Sequence, residues 1–245
     1  MKILGVIPAR FASSRFPGKP LIDILGKSMI QRVYEGAKKS KLLFDLVVAT
    51  DDQRIVDEVH RFGGKAMLTL SSHTTGTDRC GEILTHFPEA EIVINIQGDE
   101  PLVDYQQLDA LLSVFRDQTV NIATLATKKI TQSDIDNPNR IKLVVDKQNN
   151  ALYFSRAAIP NTAHQGKHLD YPFLRHIGLY AYRAQTLTEI INLSPCSLEQ
   201  TESLEQLRWM YNSYSIRIVE TDIETPNIDA PEDLAAVLAE LNKKQ

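Results

Sequence analysis

The segment IPARFASSRFPGKPL, residues 7–21, concentrates groups that bind anions. Arg10, Arg15 and Lys19 bring three cations within ten residues, and Ser14 adds a hydroxyl. A Pro-Gly pair lets the backbone turn closely around a ligand. Because no acidic residue separates the cations, this composition favours a bound polyphosphate over the alternative interpretation, a solvated surface loop.

Two acidic residues are candidates for the partner of that loop. Asp99 lies in QGDEP, directly after an apolar strand-like run, and Asp229 precedes Pro231 at the start of a helical segment. An acidic residue opposite a cationic loop can anchor a Mg²⁺ that bridges a triphosphate. The alternative is that both aspartates only cap the helices that follow them. Spacing along the chain does not show whether they meet.

Alternating elements must position these groups. Strand-like runs cover residues 2–7, 45–50, 65–69, 91–97 and 121–127, and helical patterns cover 52–62 and 104–115. The strand-like runs are nearly continuous in apolar residues, as strands buried on both faces should be. The alternation therefore predicts an α/β fold whose parallel sheet is covered by helices on both faces.

A second group of elements follows. Strand-like runs cover 141–146, 151–155, 176–183 and 214–221, helical patterns cover 201–212 and 231–244, and a polar stretch at 160–172 is typical of an exposed loop. We therefore predict one domain over 1–245 that contains a smaller mixed α/β subdomain at about 128–220. The cleft between this subdomain and the open end of the sheet is the expected ligand site.

Composition excludes several classes of protein. The net charge of -4 and the pI near 5.9 argue against nucleic-acid binding, because such domains usually carry a basic face. The chain has no apolar run of the ~18 residues that a spanning helix needs, and its start does not fit a signal peptide, so we expect a cytoplasmic protein without a membrane anchor. Cys80 and Cys196 show no metal-ligand or disulfide spacing.

Further motifs accompany the two segments described above. They are GTDR (76–79), ALYFSR (151–156), HIGLYAY (176–182), LEQLR (204–208) and IDAPEDL (228–234). In this order, over nearly the whole chain, the set resembles the 3-deoxy-manno-octulosonate cytidylyltransferases, or CMP-Kdo synthetases. The resemblance implies a doubly wound, mostly parallel, Rossmann-like nucleotidyltransferase sheet. It also implies transfer of CMP from CTP to the anomeric hydroxyl of 3-deoxy-D-manno-octulosonate (Kdo), with release of pyrophosphate, by a cytoplasmic homodimer that serves lipopolysaccharide biosynthesis.

The resemblance further implies a role for individual residues. The catalytic groups are Arg10 and Lys19, which hold the triphosphate, and Asp99 and Asp229, which hold Mg²⁺. Nucleotide binding would add Ser14, Thr75, Gly76 and Thr77. The sugar would be surrounded by Arg15, Gln97, Arg156, His176, Tyr180, Glu205 and Gln206. Without the resemblance, three of these also have structural interpretations: His176 and Tyr180 as buried strand residues, and Glu205 as half of an ion pair on a helix.

Other functions stay open at this point. A transferase acting on an acylneuraminate would keep the nucleotide loop, although ALYFSR and LEQLR favour Kdo. A non-catalytic nucleotide-sugar sensor could dispense with Lys19 or an acidic metal ligand, and a glycosyltransferase would normally show a D-x-D motif. The choice between Kdo and its 8-amino analogue is not made by these residues.

Overall fold

One mixed sheet organises the computed structural model, which describes residues 1–12, 16–161, 172–228 and 230–243. Within these residues the strands are Ile3–Ala9 (β1), Asp23–Ile24 (β2), Lys27–Ser28 (β3), Leu43–Thr50 (β4), Ala66–Leu68 (β5), Ile92–Asn95 (β6), Ile122–Thr127 (β7), Lys142–Val145 (β8), Ala151–Ser155 (β9), Leu174–Arg183 (β10) and Ile216–Glu220 (β11). The order across the main sheet is β11-β7-β10-β6-β1-β4-β5. Strands β8 and β9 extend it from β10, while β2 and β3 form a separate hairpin.

The pairing directions confirm the predicted doubly wound, mostly parallel sheet. Strand β1 runs parallel to β4 and β6, β4 runs parallel to β5, and β7 runs parallel to β11. Strand β10 lies antiparallel between β6 and β7. The carboxyl ends of the parallel strands next to β10 therefore open toward one edge, where ligands of such sheets bind.

Helices cover both faces of the sheet. They are Met29–Ala37 (α1), Gln53–Arg61 (α2), Gly76–Leu84 (α3), Tyr105–Ser113 (α4), Gln132–Asp136 (α5), Ala184–Ile190 (α6), Ser197–Glu202 (α7), Gln206–Tyr211 (α8) and Leu234–Lys243 (α9). Ile3 and Ile7 of β1 pack into the core with α1, α2 and α4. Leu4 and Val6 pack into a second core with α3, α6 and α8. Because successive side chains point to opposite faces, this two-sided burial explains the continuous apolar run in β1.

A third apolar cluster joins distant parts of the chain. Ile24 and Met29, beside the β2–β3 hairpin, are fully buried together with Ile228 and Val237. This packing holds the residues before α9, and α9 itself, against the segment that follows the cationic loop.

The prediction of one helix over 201–212 is wrong in one respect, because two short helices, α7 and α8, cover this part of the chain. Ser203 adopts a left-handed conformation with φ 51° and ends α7. A non-glycine residue in this conformation interrupts helical hydrogen bonding and redirects the chain. The break coincides with contacts between the Glu202 carboxylate and the end of β9.

The range 128–220 contributes to the main sheet as well as to its edge. Strands β10 and β11 pair with β6 and β7, whereas β8 and β9 form the extension. The assignment of this range as a sugar-binding and dimerisation subdomain stays a prediction. Among the described residues, no helix is both long enough and apolar enough to cross a bilayer.

Candidate active site

A cavity of about 830 Å³ opens beside the ends of β6 and β10. Its walls come from four parts of the chain, namely the QGDEP corner, residues 139–141, the first half of β10, and residues 224–227 with 233–240. Gln97, Asp99 and His176, which the sequence had assigned to the metal or the sugar, line it. The cavity therefore brings together three of the residues assigned to the ligand site, and their roles stay predictions.

Lys19 and Asp99 meet at this edge. Lys19 begins a short 3-10 helix after Gly18, whose φ of 74° is a conformation that favours glycine. The Lys19 ammonium donates to Asp99 Oδ2 at 2.8 Å and to the carbonyl of Ile228 at 2.8 Å. The backbone N–H of Ile228 also donates to the Asp99 carbonyl at 2.9 Å. The cationic loop, the QGDEP corner and the residue before position 229 are thus joined directly.

Glu100 anchors the same C-terminal segment at a second point. Its carboxylate accepts a hydrogen bond from the Thr225 hydroxyl at 2.8 Å. Glu100 is buried, and burial raises its pKa to about 7, with the neighbouring charge of Asp99 acting in the same direction. The helix cap considered for Asp99 belongs to Asp104, whose side chain accepts from the Gln106 N–H at the start of α4.

The start of α3 carries the residues assigned to the nucleotide. Thr75 caps the helix in a capping box with Asp78. Gly76 fits closely, because a Cβ there would lie 3.3 Å from the side chains of Asn95 and Pro8. The backbone of α3 can therefore approach the end of β1, where the cationic loop begins.

Thr77 connects the predicted nucleotide side to the predicted sugar side. Its buried hydroxyl donates to Glu205 Oε2 at 2.9 Å. Burial raises the pKa of Glu205, an effect that the hydrogen bonds from Thr77 and Thr75 oppose. Two buried tyrosine hydroxyls, those of Tyr180 and Tyr182, have no hydrogen-bond partner within the part of the chain that is described.

His176 lies on the cavity wall in β10, with its ring against Phe154 and Tyr180. The residue is half-buried, and burial lowers its pKa to about 3, with the charge of Arg175 adding to the effect. His176 Nε2 lies 3.0 Å from Thr124 Oγ1.

The protonated nitrogen of His176 follows from the partners of Thr124. The Thr124 hydroxyl has one proton and faces the carbonyls of Leu179 and Ile177 at 2.8 and 3.2 Å. With that proton on the nearer carbonyl, that of Leu179, we assign Nε2 of the histidine as the donor, which leaves Nδ1 as an acceptor.

Gln97 and Arg156 differ in how much of each side chain already has a partner. Gln97 Nε2 donates to the Gly178 carbonyl at 2.6 Å, and Gln97 also lines the cavity. The Arg156 guanidinium donates to three backbone carbonyls, those of Pro138, Glu202 and Ser203. In this conformation Arg156 links protein segments to one another.

Two other assigned residues have simple positions. Arg10 is exposed directly after β1, and Gln206 is buried at the start of α8. Ser14, Arg15 and Asp229 lie outside the described residues, so the structure gives no position for these predicted contacts.

Sequence reasoning missed several residues that shape the site. Glu100 and Thr225 fasten the C-terminal segment, and Lys142 lies fully buried on β8. Lys142 had a detectable signal, since it is a single charged residue inside the apolar run IKLVV. The contact between Glu100 and Thr225 has no such signal, because this hydrogen bond joins distant parts of the chain.

Comparison with known proteins agrees with this geometry. The cytidylyltransferase family profile matches residues 4–219. The 3-deoxy-manno-octulosonate cytidylyltransferase of Parabacteroides distasonis is 47% identical over 98% of both chains. The enzyme of the same name from Syntrophobacter fumaroxidans is 48% identical over 97% of this chain and 96% of its own. The chain belongs to this family. It is a nucleotidyltransferase, as the motifs predicted.

Two solved structures share its fold. A CMP:2-keto-3-deoxy-manno-octonic acid synthetase complexed with CTP superposes with a TM-score of 0.93, at 42% identity over 100% of both chains. A 4-diphosphocytidyl-2C-methyl-D-erythritol synthase from Anaerococcus prevotii has a TM-score of 0.65 over 98% of this chain and 99% of its own. At 14% identity the second likeness concerns the fold alone.

Proposed function

We propose that this cytidylyltransferase transfers CMP from CTP to the anomeric hydroxyl of Kdo and releases pyrophosphate. The observation that carries the proposal is the direct contact of Lys19 with Asp99 at the open edge of the sheet. It brings a cation for the triphosphate and a carboxylate for a metal to one place beside a cavity of about 830 Å³. The full-length identity to enzymes of that name supports the choice of substrates.

The residues of the chain act mainly by positioning and by electrostatics. In the transfer, the sugar oxygen forms a bond to the α-phosphorus of CTP while the bond to pyrophosphate breaks. Lys19 and Arg10 neutralise the phosphate charge that resists this attack. The start of α3, with Thr75, Gly76 and Thr77, holds the nucleoside side. Placing the hydroxyl in line with the leaving group then accounts for much of the rate.

The sugar side offers several polar groups for a polyhydroxylated acid. The neutral ring of His176 supplies an acceptor, while Tyr180 has a buried hydroxyl without a partner within the described chain. Glu205, Gln97 and Gln206 add carboxylate and amide groups. We assign these residues to the hydroxyls of Kdo and Arg15 to its carboxylate, and we keep Arg156 on the sugar side, where its guanidinium already donates to three backbone carbonyls.

Mg²⁺ fits the donors at the edge of the sheet. Asp99 offers a hard carboxylate oxygen, and the backbone of Ile228 is hydrogen-bonded to both Asp99 and Lys19. The described residues contain no group of three or more His, Cys, Asp or Glu able to hold a metal. Mg²⁺ does not require one, since it commonly binds one or two carboxylates, substrate phosphates and water. When bound, it would neutralise phosphate charge and lower the pKa of the sugar hydroxyl. We propose Asp99 and Asp229 as its protein ligands.

Three further properties belong to the proposal through the family resemblance. They are a role in lipopolysaccharide biosynthesis, a cytoplasmic location and assembly as a homodimer. Sedimentation velocity at micromolar concentrations tests the dimer directly, and a single species of monomer mass would contradict it.

The function is tested by pyrophosphate release from CTP with and without Kdo. We expect release to require Kdo, and CTP to be preferred strongly over ATP and GTP, because a site that hydrogen-bonds the base edge rejects mismatched groups. UTP is the most demanding competitor, since it differs at one exocyclic group. Equal turnover with ATP, or release that is independent of Kdo, would contradict the proposal.

The metal ligands are tested by Asp99→Asn and Asp229→Asn, which keep the side-chain shape and remove the charge. Each should reduce transition-state stabilisation by roughly 3 kcal/mol, while CTP binding weakens little because Arg10 and Lys19 remain. The double variant should be little worse than either single one, because the two residues act as a unit. Turnover is measured across a Mg²⁺ titration. Near-normal activity and metal dependence in Asp229→Asn would show that this residue only caps a helix.

A further inference from the structure

Lys142 is a buried cation with no part in the mechanism described above. It lies on β8 with no exposed surface, and burial lowers its pKa. Its ammonium donates to the carbonyl of Asn137 at 2.9 Å and to the carbonyl of Arg156 at 2.7 Å. A buried ammonium is tolerated where polar atoms replace its hydration water. The two carbonyls therefore fix the ammonium, and the ammonium in turn fixes the two backbone segments that carry them.

Arg156 extends the same set of contacts. Its Nη1 donates to the Pro138 carbonyl at 3.0 Å, while Nε and Nη2 donate to the carbonyls of Glu202 and Ser203 at 2.6 and 3.2 Å. Its backbone N–H donates to Glu202 Oε2 at 3.0 Å. The planar guanidinium therefore ties the end of β9 both to the 137–138 turn and to the break between α7 and α8.

One of the held segments leads directly into the cavity, and the other leads to a residue assigned to the sugar. The carbonyl of Asn137 accepts from Lys142, and the next carbonyl, that of Pro138, accepts from Arg156. These two residues precede residues 139–141 on the cavity wall. Ile141 then accepts from the backbone N–H of His176 at 2.8 Å. On the other side, Ser203 lies two residues before Glu205. The two cations thus fix both segments that approach the sugar side.

We propose that Lys142 and Arg156 are positioning residues for Kdo, which brace the 137–138 turn and the α7–α8 break so that the cavity wall is formed before the sugar binds. This inference rests on the proposed function, because it concerns the sugar side of the same reaction. In this proposal Arg156 acts by holding backbone segments of the protein in position. It also distinguishes the two substrates, since the side-chain hydrogen bonds of both cations, among the described residues, go to Asn137, Pro138, Arg156, Glu202 and Ser203.

The first test is Lys142→Met, which keeps the apolar stem and removes the ammonium. A small displacement of positioned groups reduces rates strongly, so we expect kcat/KM for Kdo to fall by about tenfold or more, with the KM for CTP changed less than about twofold. The matched control is Lys147→Met, an exposed lysine in the turn that follows β8, which should behave as the wild type. Equal losses for both substrates, or no loss for either, would overturn the proposal.

A second variant and a second measurement test the proposal even if Lys142→Met folds poorly. Arg156→Lys keeps the charge and loses the planar fork. Hydrogen exchange of the peptide covering 137–141 should accelerate by about tenfold in this variant, while β7 keeps its protection. Its response to Kdo should fall as in Lys142→Met. Unchanged exchange at 137–141, or full Kdo use by Arg156→Lys, would contradict bracing.

These results are separable from a failure of the proposed function. A wild-type enzyme that releases no pyrophosphate with CTP and Kdo refutes the function. Hydrogen exchange still reports whether the two cations hold the 137–141 segment, because it requires no substrate.

Discussion

At the scale of single residues, burial on a cavity wall decides the charge of His176. Its ring nitrogen faces Thr124 at 3.0 Å, and its pKa of about 3 lies below the ordinary value of 6.5. The native protein therefore binds fewer protons here than the unfolded chain at intermediate pH. A neutral imidazole at neutral pH can accept a hydrogen bond from a sugar hydroxyl without adding positive charge beside Arg175.

The same shift predicts an acid-sensitive contribution to stability. Above pH 6.5 the contribution of His176 to the free energy of unfolding should be complete. Below pH 6.5 the free energy of unfolding should fall, because the histidine of the unfolded chain takes up a proton and that of the native protein does not. By pH 4.5 this contribution should have decreased by about 3 kcal/mol. His176→Asn should remove that loss, measured by urea unfolding from pH 7 to 4.5. The control His60→Asn removes an exposed imidazole and should keep the wild-type pH dependence.

At the scale of elements, the site depends on how closely two strand ends approach. Residue 98 follows β6, and a Cβ at Gly98 would lie 2.5 Å from the Pro8 carbonyl oxygen on β1. The contact is with backbone, so neither side can move away easily. This close approach is what allows Asp99 to reach Lys19 in the loop that follows β1.

Gly98→Ala should therefore destabilise the fold as well as the site. Overpacking against backbone typically costs 1–3 kcal/mol, so we expect the unfolding free energy to fall by about 2 kcal/mol. Gly178→Ala is the control, because its Cβ would meet only ordinary contact, with Gln97 Nε2 at 4.0 Å. Urea unfolding curves compare the two. Equal stability of Gly98→Ala and wild type would show that β1 and β6 separate readily.

At the scale of the whole molecule, the hydrogen bond from Thr77 to Glu205 joins the predicted nucleotide side to the predicted sugar side. Thr77 at the start of α3 and Glu205 before α8 are 128 positions apart, yet their side-chain oxygens lie 2.9 Å apart. A ligand that fixes α3 thereby restricts Glu205. Binding of the nucleotide should accordingly favour binding of the sugar, and the effect must be reciprocal.

Thr77→Val is expected to weaken this coupling. It replaces the donor by a methyl group and leaves Glu205 with fewer partners, so the KM for Kdo should rise by about fivefold or more while CTP binding changes less. Calorimetry of each ligand in the presence and absence of the other measures the coupling factor. Thr77→Ser retains the hydroxyl and should keep the wild-type factor. Identical coupling in the Val variant would show that the two sides are independent.

The sequence by itself determined the class of the fold, the family and the main candidates for the site. Local patterns suffice for this. Apolar runs indicate burial, and a motif such as QGDEP can be recognised because its residues are contiguous in the chain. The cationic loop and Asp99 were expected to face each other, and Lys19 contacts Asp99. The predicted roles of Ser14, Arg15 and Asp229 stay predictions.

The tertiary structure decided what depends on distant contacts. Sequence periodicity did not show that Ser203 ends α7, that Thr77 contacts Glu205, or that Lys142 and Arg156 hold the 137–138 turn. The contacts of Thr77 with Glu205 and of Glu202 with the end of β9 join residues 46 to 128 positions apart. A backbone conformation such as that of Ser203 is stable only when its neighbours over-determine it. Local residue patterns carry no record of such partners, because they exist only once the sheet has brought its strand ends together.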